Sequence, residues 1–169
     1  MKIADVLLLD FDAEMGATKR ILKSVPDEKA GWKPHEKSTC IEKLALHIAT
    51  VPRFGTVIMT KPGFDMADPA QKLPAVEYKS MAETIAEFER NAAAARAALA
   101  AASDADLEQK WKFAFGERVI GEWSRMLSWR ILFFNHMMHH RSQLGVYLRL
   151  LDIPVPATYG PSADDRMGF

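Results

Sequence analysis

The chain has 169 residues, a length typical of one domain, and we expect a single domain over residues 1–169. Hydrophobic residues make up 49% of the sequence and charged residues 26%, proportions that exclude an intrinsically disordered chain. The 22 Lys and Arg residues balance the 22 Asp and Glu residues. Because phosphate binding needs an excess of cations, this balance disfavours a nucleic-acid-binding protein.

The cellular location is predicted from three features. The single cysteine, Cys40, cannot close an internal disulfide, which is typical of a reducing compartment. Asp5, Asp10 and Asp12 interrupt the N-terminal segment, so it lacks the pattern of a signal peptide. No apolar run approaches the roughly 20 residues of a membrane helix. We therefore expect a cytoplasmic protein without a membrane partner.

Apolar residues at steps of three and four predict the first two helices. The first helix carries Leu7, Phe11 and Leu22 on one face, and Pro26 stops it. The second runs from about Cys40 towards Met59, and Pro52 is expected to kink or end it. Thr39 and Glu42 are interpreted as a capping box at its start.

Two further helices complete the predicted fold. Residues 60–79 show no period and are interpreted as a long loop, after which Ser80 and Glu83 predict a capped helix to about Ala102. Residues 111–120 are interpreted as a small hairpin or an irregular loop. Ser124 then caps a fourth helix to about Leu151. Together these elements predict an all-α fold, a four-helix bundle whose long connections permit a crossover, with a small hairpin between helices three and four.

The fourth helix carries the residues with the clearest chemistry. At about 100° per residue, His136, His140, Gln143 and Tyr147 fall within about 60° of arc, on the face predicted to be buried. Histidines at positions i and i+4 can bind one metal ion. His47, on the predicted core stripe of the second helix, supplies a third imidazole. Three histidines and one free position are typical of a catalytic metal site.

Structural interpretations stand beside this hypothesis. A single histidine on an apolar face is more often a hydrogen-bonded core residue than a ligand, but three imidazoles buried together favour a metal. Gln143 and Tyr147 either contact a substrate or bond to another helix. His139 is expected to face a neighbouring helix rather than the site, and Cys40 to have no catalytic role.

The motifs resemble those of the DinB/YfiT-like superfamily of metal-binding four-helix bundles. They are the segment Ile41–His47, the N-H-x-x-x-H-R-x-Q block Asn135–Gln143, the segment Tyr147–Arg149, and the closing segments Ile153–Pro156 and Tyr159–Asp165. Ser142 stands where many members have glycine.

The resemblance implies a bundle with a crossover connection, commonly found as a homodimer, and a divalent metal, zinc or nickel, held by His47, His136 and His140. It also implies relatives that are thiol-dependent transferases or isomerases using low-molecular-weight thiols. The function predicted is therefore a metal-dependent hydrolase or thiol S-transferase acting on a small molecule. The alternative is a non-enzymatic metal-binding or stress-related protein whose metal only stabilises the fold. No residue stands out as a general base.

Overall fold

A computed structural model describes residues 2–166 of the chain. Most of these residues are helical, in seven α-helices, two short 3-10 helices and one π-helical turn, and a three-stranded sheet completes the fold. The α-helices are α1 (Ile3–Lys23), α2 (Ile41–Thr50), α3 (Pro52–Thr60), α4 (Met81–Ala101), α5 (Asp104–Glu108), α6 (Arg125–Ser128) and α7 (Asn135–Leu150). The strands are β1 (Gly63–Asp65), β2 (Lys110–Phe115) and β3 (Arg118–Ser124).

The first predicted helix is confirmed as α1, which buries Phe11, Met15 and Leu22 on one side. It ends at Lys23, ahead of Pro26, as the sequence predicts.

Pro52 divides the second predicted helix in two. Because proline lacks an N–H group, it is the first residue of a new helix, α3, and Val51 alone separates it from α2. The predicted capping box at Thr39 is wrong, since Cys40 is the residue that precedes α2. Loop carbonyls take over the capping role: the Ile41 N–H donates to the Trp32 carbonyl at 3.0 Å, and the Glu42 N–H donates to the Ala30 carbonyl at 2.9 Å.

The sheet corrects the all-α prediction. The predicted hairpin is confirmed as β2 and β3, which pair antiparallel around a turn where Gly116 has a φ of 58°, the left-handed region that favours glycine. The interpretation of residues 60–79 as loop is partly wrong, because β1 pairs parallel to β2 and Pro69–Gln71 form a 3-10 helix. A three-residue strand is too short to show a period, so its partner β2, not its own sequence, defines it.

The third predicted helix is confirmed as α4. The Glu83 N–H donates to Ser80 Oγ at 3.2 Å, and the helix ends at Ala101. Its buried side chains include Ala92 and Ala95, and α4 packs against α1, α2 and α3. The small side chains allow these neighbours to approach closely.

The fourth predicted helix begins at its predicted cap, where the Leu127 N–H donates to Ser124 Oγ at 3.2 Å. It is not a uniform α-helix, because Trp129–Phe134 form a π-helical turn between α6 and α7. Trp129 and Phe133 are buried there against Phe11 of α1, with ring centroids 5.9 Å and 6.2 Å from that of Phe11.

The C-terminal helix α7 contacts α1 on one side and α2 on the other. The buried apolar side chains form one cluster to which α1, α2, α4 and α7 all contribute. Within residues 2–166, no helix combines the length and the apolar character needed to cross a membrane. The contact between α2 and α7 is the one that brings the predicted site residues together.

Candidate metal centre

Three histidines from two helices converge at the contact between α2 and α7. His47 lies in α2, and His136 and His140 lie one turn apart in α7. Their candidate ligand nitrogens all lie within 4.8 Å of one another. Among residues 2–166, these three histidines form the one group of three or more histidine, cysteine or acidic side chains whose ligand atoms lie close enough to hold a metal ion.

The ring geometry is compatible with one shared ion. The Nε2 atoms of His47 and His136 are 2.9 Å apart, close enough for one to donate a hydrogen bond to the other. Two ligands of a tetrahedral zinc ion, each at about 2.0–2.1 Å, would be roughly 3.3 Å apart. The His140 ring centroid lies 4.6 Å from that of His47 and 4.5 Å from that of His136. A small spreading of the rings would therefore admit an ion.

The histidines do not lie on the buried face predicted for them. His47 and His136 are exposed and His140 is half-buried, whereas α7 buries Met137, Arg141, Leu144, Tyr147 and Leu148. For His136 and His140 the physical reason is the π-helical turn, because one extra residue in a turn rotates the helix on its N-terminal side by about 100° relative to the helix on its C-terminal side. Trp129 and Phe133 therefore face the core, while His136 does not.

The imidazoles of His47 and His136 are held in their neutral form. Partial burial, then repulsion from His140 and His136, lowers the pKa of His47 from its ordinary 6.5 to about 4. Partial burial, then repulsion from His140 and His139, also lowers the pKa of His136. At neutral pH both rings thus offer the lone pairs that a metal ion requires.

Gln143 and Tyr147 form a hydrogen-bonded chain behind His140. The His140 Nδ1–H donates to Gln143 Oε1 at 3.0 Å, and Gln143 Nε2 donates to the Tyr147 hydroxyl at 3.1 Å. Trp32 packs edge-on against the buried Tyr147 ring, with centroids 5.6 Å apart. A hydrogen bond from Nδ1 orients the His140 ring, which is the outer-shell arrangement typical of metal-binding histidines.

A cavity of about 720 Å³ opens beside the histidines. His47 and His136 line it, but Gln143 and Tyr147 do not, so their direct contact with a substrate stays a prediction. The walls are mostly apolar and come from α2, α3, the 72–80 segment that precedes α4, and the π-helical turn. The sequence shows no signal for this cavity, because its walls come from segments far apart in the chain.

Arg53 fixes one wall of the cavity. Its Nη1 donates to the Pro74 carbonyl at 2.8 Å, and its Nη2 pairs with the Glu87 carboxylate of α4. Burial alone would raise the pKa of Glu87, but hydrogen bonds from Asn91, Arg53 and Arg90 together lower it. The Arg53 guanidinium thus shares the Glu87 carboxylate with Arg90, and the 72–80 segment is tied to α3 and α4.

The other two histidines of the chain and its cysteine lie outside the three-histidine group. His139 is exposed beside His140, with ring centroids 4.9 Å apart, so the expectation that it faces a neighbouring helix is wrong. His35 is exposed in the loop before α2 and accepts a hydrogen bond from the Lys37 N–H. Cys40 is half-buried, and its thiol contacts Glu42 Oε1 at 3.8 Å.

Comparison with known proteins identifies the family of the chain. The family model of the DinB superfamily matches residues 10–144, a range that includes all three histidines. The uncharacterized protein YrdA of Bacillus subtilis (strain 168) is 26% identical over 167 residues, which are 98% of this chain and 93% of YrdA.

Two solved structures share the fold. The DinB-like protein YjoA from Bacillus subtilis is 19% identical and aligns with a TM-score of 0.67 over 94% of this chain and 98% of its own. A DinB-like protein from Bacillus cereus ATCC 10987 is 22% identical and aligns with a TM-score of 0.66 over 90% and 95% of the two chains. On the family match over residues 10–144, this chain belongs to the DinB superfamily.

Proposed function

We propose that this protein binds one divalent metal ion, zinc or nickel, through His47, His136 and His140, and that the ion serves catalysis on a small molecule. The observation that carries the proposal is the convergence of the three imidazoles, with their ligand nitrogens within 4.8 Å of one another. Neutral imidazoles are good ligands for both metals. The bond from His140 to Gln143 supports the proposal further, because it orients one ligand.

The reaction proposed is hydrolysis or the transfer of a low-molecular-weight thiol to an electrophile. A bound ion would supply a Lewis acid that activates water or a thiol. The chain's own residues contribute access, since His47 and His136 line the cavity, and exclusion of water by its apolar walls. None of the described residues lining the cavity is a carboxylate, so we assign no general base.

A metal that only stabilises the fold is the alternative. Structural zinc sites are closed by four protein ligands. The group here contains three histidines, two of them exposed to the cavity, which favours the catalytic role.

We further propose a four-helix bundle formed by α1, α2 with α3, α4, and α6 with α7, in a cytoplasmic homodimer without a nucleic-acid partner.

Elemental analysis of protein purified without a metal-affinity tag tests the metal site. We expect about one zinc or nickel ion per chain, and loss of that ion in His47→Ala, His136→Ala and His140→Ala, because two imidazoles hold a divalent metal poorly. His139→Ala and His35→Ala are the matched controls and should keep the metal. Full metal content in any of these three variants would contradict the proposal.

A thiol-transfer and hydrolysis screen of metal-loaded and chelated protein tests the catalytic role. We expect turnover of at least one thiol–electrophile pair or ester that disappears in His136→Ala while circular dichroism shows an intact fold. Equal turnover by metal-loaded and chelated protein would contradict a catalytic role for the metal.

A further inference from the structure

The cavity beside the histidines has the size of a small-molecule site. Its volume of about 720 Å³ lies within the range of roughly 300–1,000 Å³ that ligand pockets occupy. Phe54 of α3, Val76 of the 72–80 segment and Ile131 of the π-helical turn belong to its apolar walls. Ile131 is 40% exposed, so a bound apolar molecule would have room to pack against it.

The charges of the cavity are of one sign. Lys43 and Arg53 line it, and none of the described lining residues is acidic. Glu87 pairs with Arg53 and also with Arg90 of α4, which does not line the cavity, whereas no ion pair within residues 2–166 involves Lys43. Lys43 precedes His47 by four residues in α2, so the two side chains share one face of the helix. Lys43 is therefore the lining cation without an ion pair, and it lies on the side of the histidines.

We propose that the ligand of this cavity is a small monoanionic amphiphile, an apolar chain or ring with a single anionic head group such as a carboxylate or thiolate. The head group lies between Lys43 and the histidines, and the apolar body packs against Phe54, Val76 and Ile131. This inference rests on the proposed function, because it names the ligand class of the same site. The apolar walls and the charge of Lys43 nevertheless act without a metal.

Calorimetric titration of the full chain with butanoate, hexanoate and octanoate, in the presence of EDTA, tests the apolar part. Each added methylene that is buried should tighten binding about fourfold. We expect octanoate to bind on the order of a hundredfold more tightly than butanoate. Equal affinities for butanoate and octanoate would overturn the proposal.

Lys43→Gln tests the charge. Loss of the ammonium group should weaken octanoate binding about threefold to fivefold and leave the binding of neutral 1-octanol unchanged. An equal loss for both probes, or no loss for octanoate, would refute the assigned position of the head group.

Ala75→Phe tests whether the ligand binds in this cavity rather than elsewhere. Ala75 lines the cavity from the exposed 72–80 segment, so a phenyl ring there fills space without entering the core. We expect a loss of octanoate affinity of at least about tenfold. Ala70→Phe, at an exposed position of the same connection outside the cavity, should bind like the wild type. Equal responses of the two variants would refute the site.

The metal-free titration separates this inference from the proposed function. Octanoate binding with the expected chain-length dependence, in a protein that elemental analysis finds without metal, would support the ligand class and refute the metal site. A bound metal together with affinities independent of chain length would support the metal site and refute the ligand class.

Discussion

Gln143 holds the His140 ring in one orientation, because its amide oxygen accepts the Nδ1 proton and its amide nitrogen is itself bound to Tyr147. We predict that Gln143→Leu lowers metal affinity by roughly 10–100-fold, the usual effect of losing an outer-shell partner of a metal ligand. Competition with a chromogenic chelator measures the affinity. Gln143→Glu keeps an acceptor for the His140 proton and is the matched control, so an equal loss in both variants would contradict the orienting role.

His47 makes the stability of the metal-free protein depend on pH. Its pKa is about 4 in the folded protein and 6.5 ordinarily, so the unfolded chain takes up a proton first as the pH falls. The free energy of unfolding should therefore decrease from about pH 6.5 down to about pH 4. The lowered pKa of His136 acts in the same direction.

Urea unfolding in EDTA at several pH values measures this effect. We predict that His47→Gln makes the decline between pH 6.5 and 4 shallower, because glutamine does not titrate. His35→Gln removes a histidine outside the cluster and should keep the decline of the wild type. Parallel stability curves for His47→Gln and the wild type would refute the assignment.

At the scale of elements, the π-helical turn depends on Gly55 of α3. A Cβ atom at this position would lie 3.0 Å from Phe133 Cδ1 and 3.2 Å from Trp129 Cζ3. Both rings are buried and have little room to move. Since the turn leads directly into His136, the absence of a side chain at Gly55 helps to position the site.

We predict that Gly55→Ala destabilises the protein by about 1 kcal/mol, because overpacking of about 1–3 kcal/mol exceeds the gain of about 1 kcal/mol in helix propensity. Gly16→Ala is the matched control. Its Cβ would meet nothing nearer than Arg20 Nη1 at 3.9 Å, so it should stabilise the protein by about 0.5–1 kcal/mol. Urea unfolding measures both variants, and the same sign of change in both would contradict the argument.

At the scale of the whole molecule, a buried ion pair joins the first and last helices. Arg141 of α7 donates to the Glu14 carboxylate of α1 at 2.5 Å, and the two side chains are 2% and 8% exposed. Arg141 follows His140 directly, so this pair also anchors the helix that carries two of the three histidines.

We predict that Arg141→Met destabilises the protein by about 3–5 kcal/mol, because it leaves the Glu14 carboxylate buried without the cation that pairs with it. The double variant Glu14→Leu/Arg141→Met should recover most of this loss. Arg96→Met is the control, since Arg96 pairs with Asp12 at a surface where both side chains are about half exposed, and its loss should stay within about 1 kcal/mol. A double variant no more stable than Arg141→Met would contradict the prediction.

The sequence by itself determined the four long helical segments, most of their ends and the three candidate ligands, but not the short helix α5 or the π-helical turn. Apolar periods, the caps Ser80 and Ser124, and the break at Pro52 act through neighbours in the chain, so they can be recognised without a fold. The i, i+4 spacing of His136 and His140 is likewise local.

Only the tertiary structure decided which face these histidines occupy and what lies beside them. The π-helical turn arises where buried rings pack on Gly55, and it rotates the predicted face of the last helix. β1 exists because β2 pairs with it, and the cavity exists because α2 and α3 meet the 72–80 segment, β2 and the π-helical turn. These features depend on contacts between residues far apart in the chain, which periodicity along the sequence does not encode.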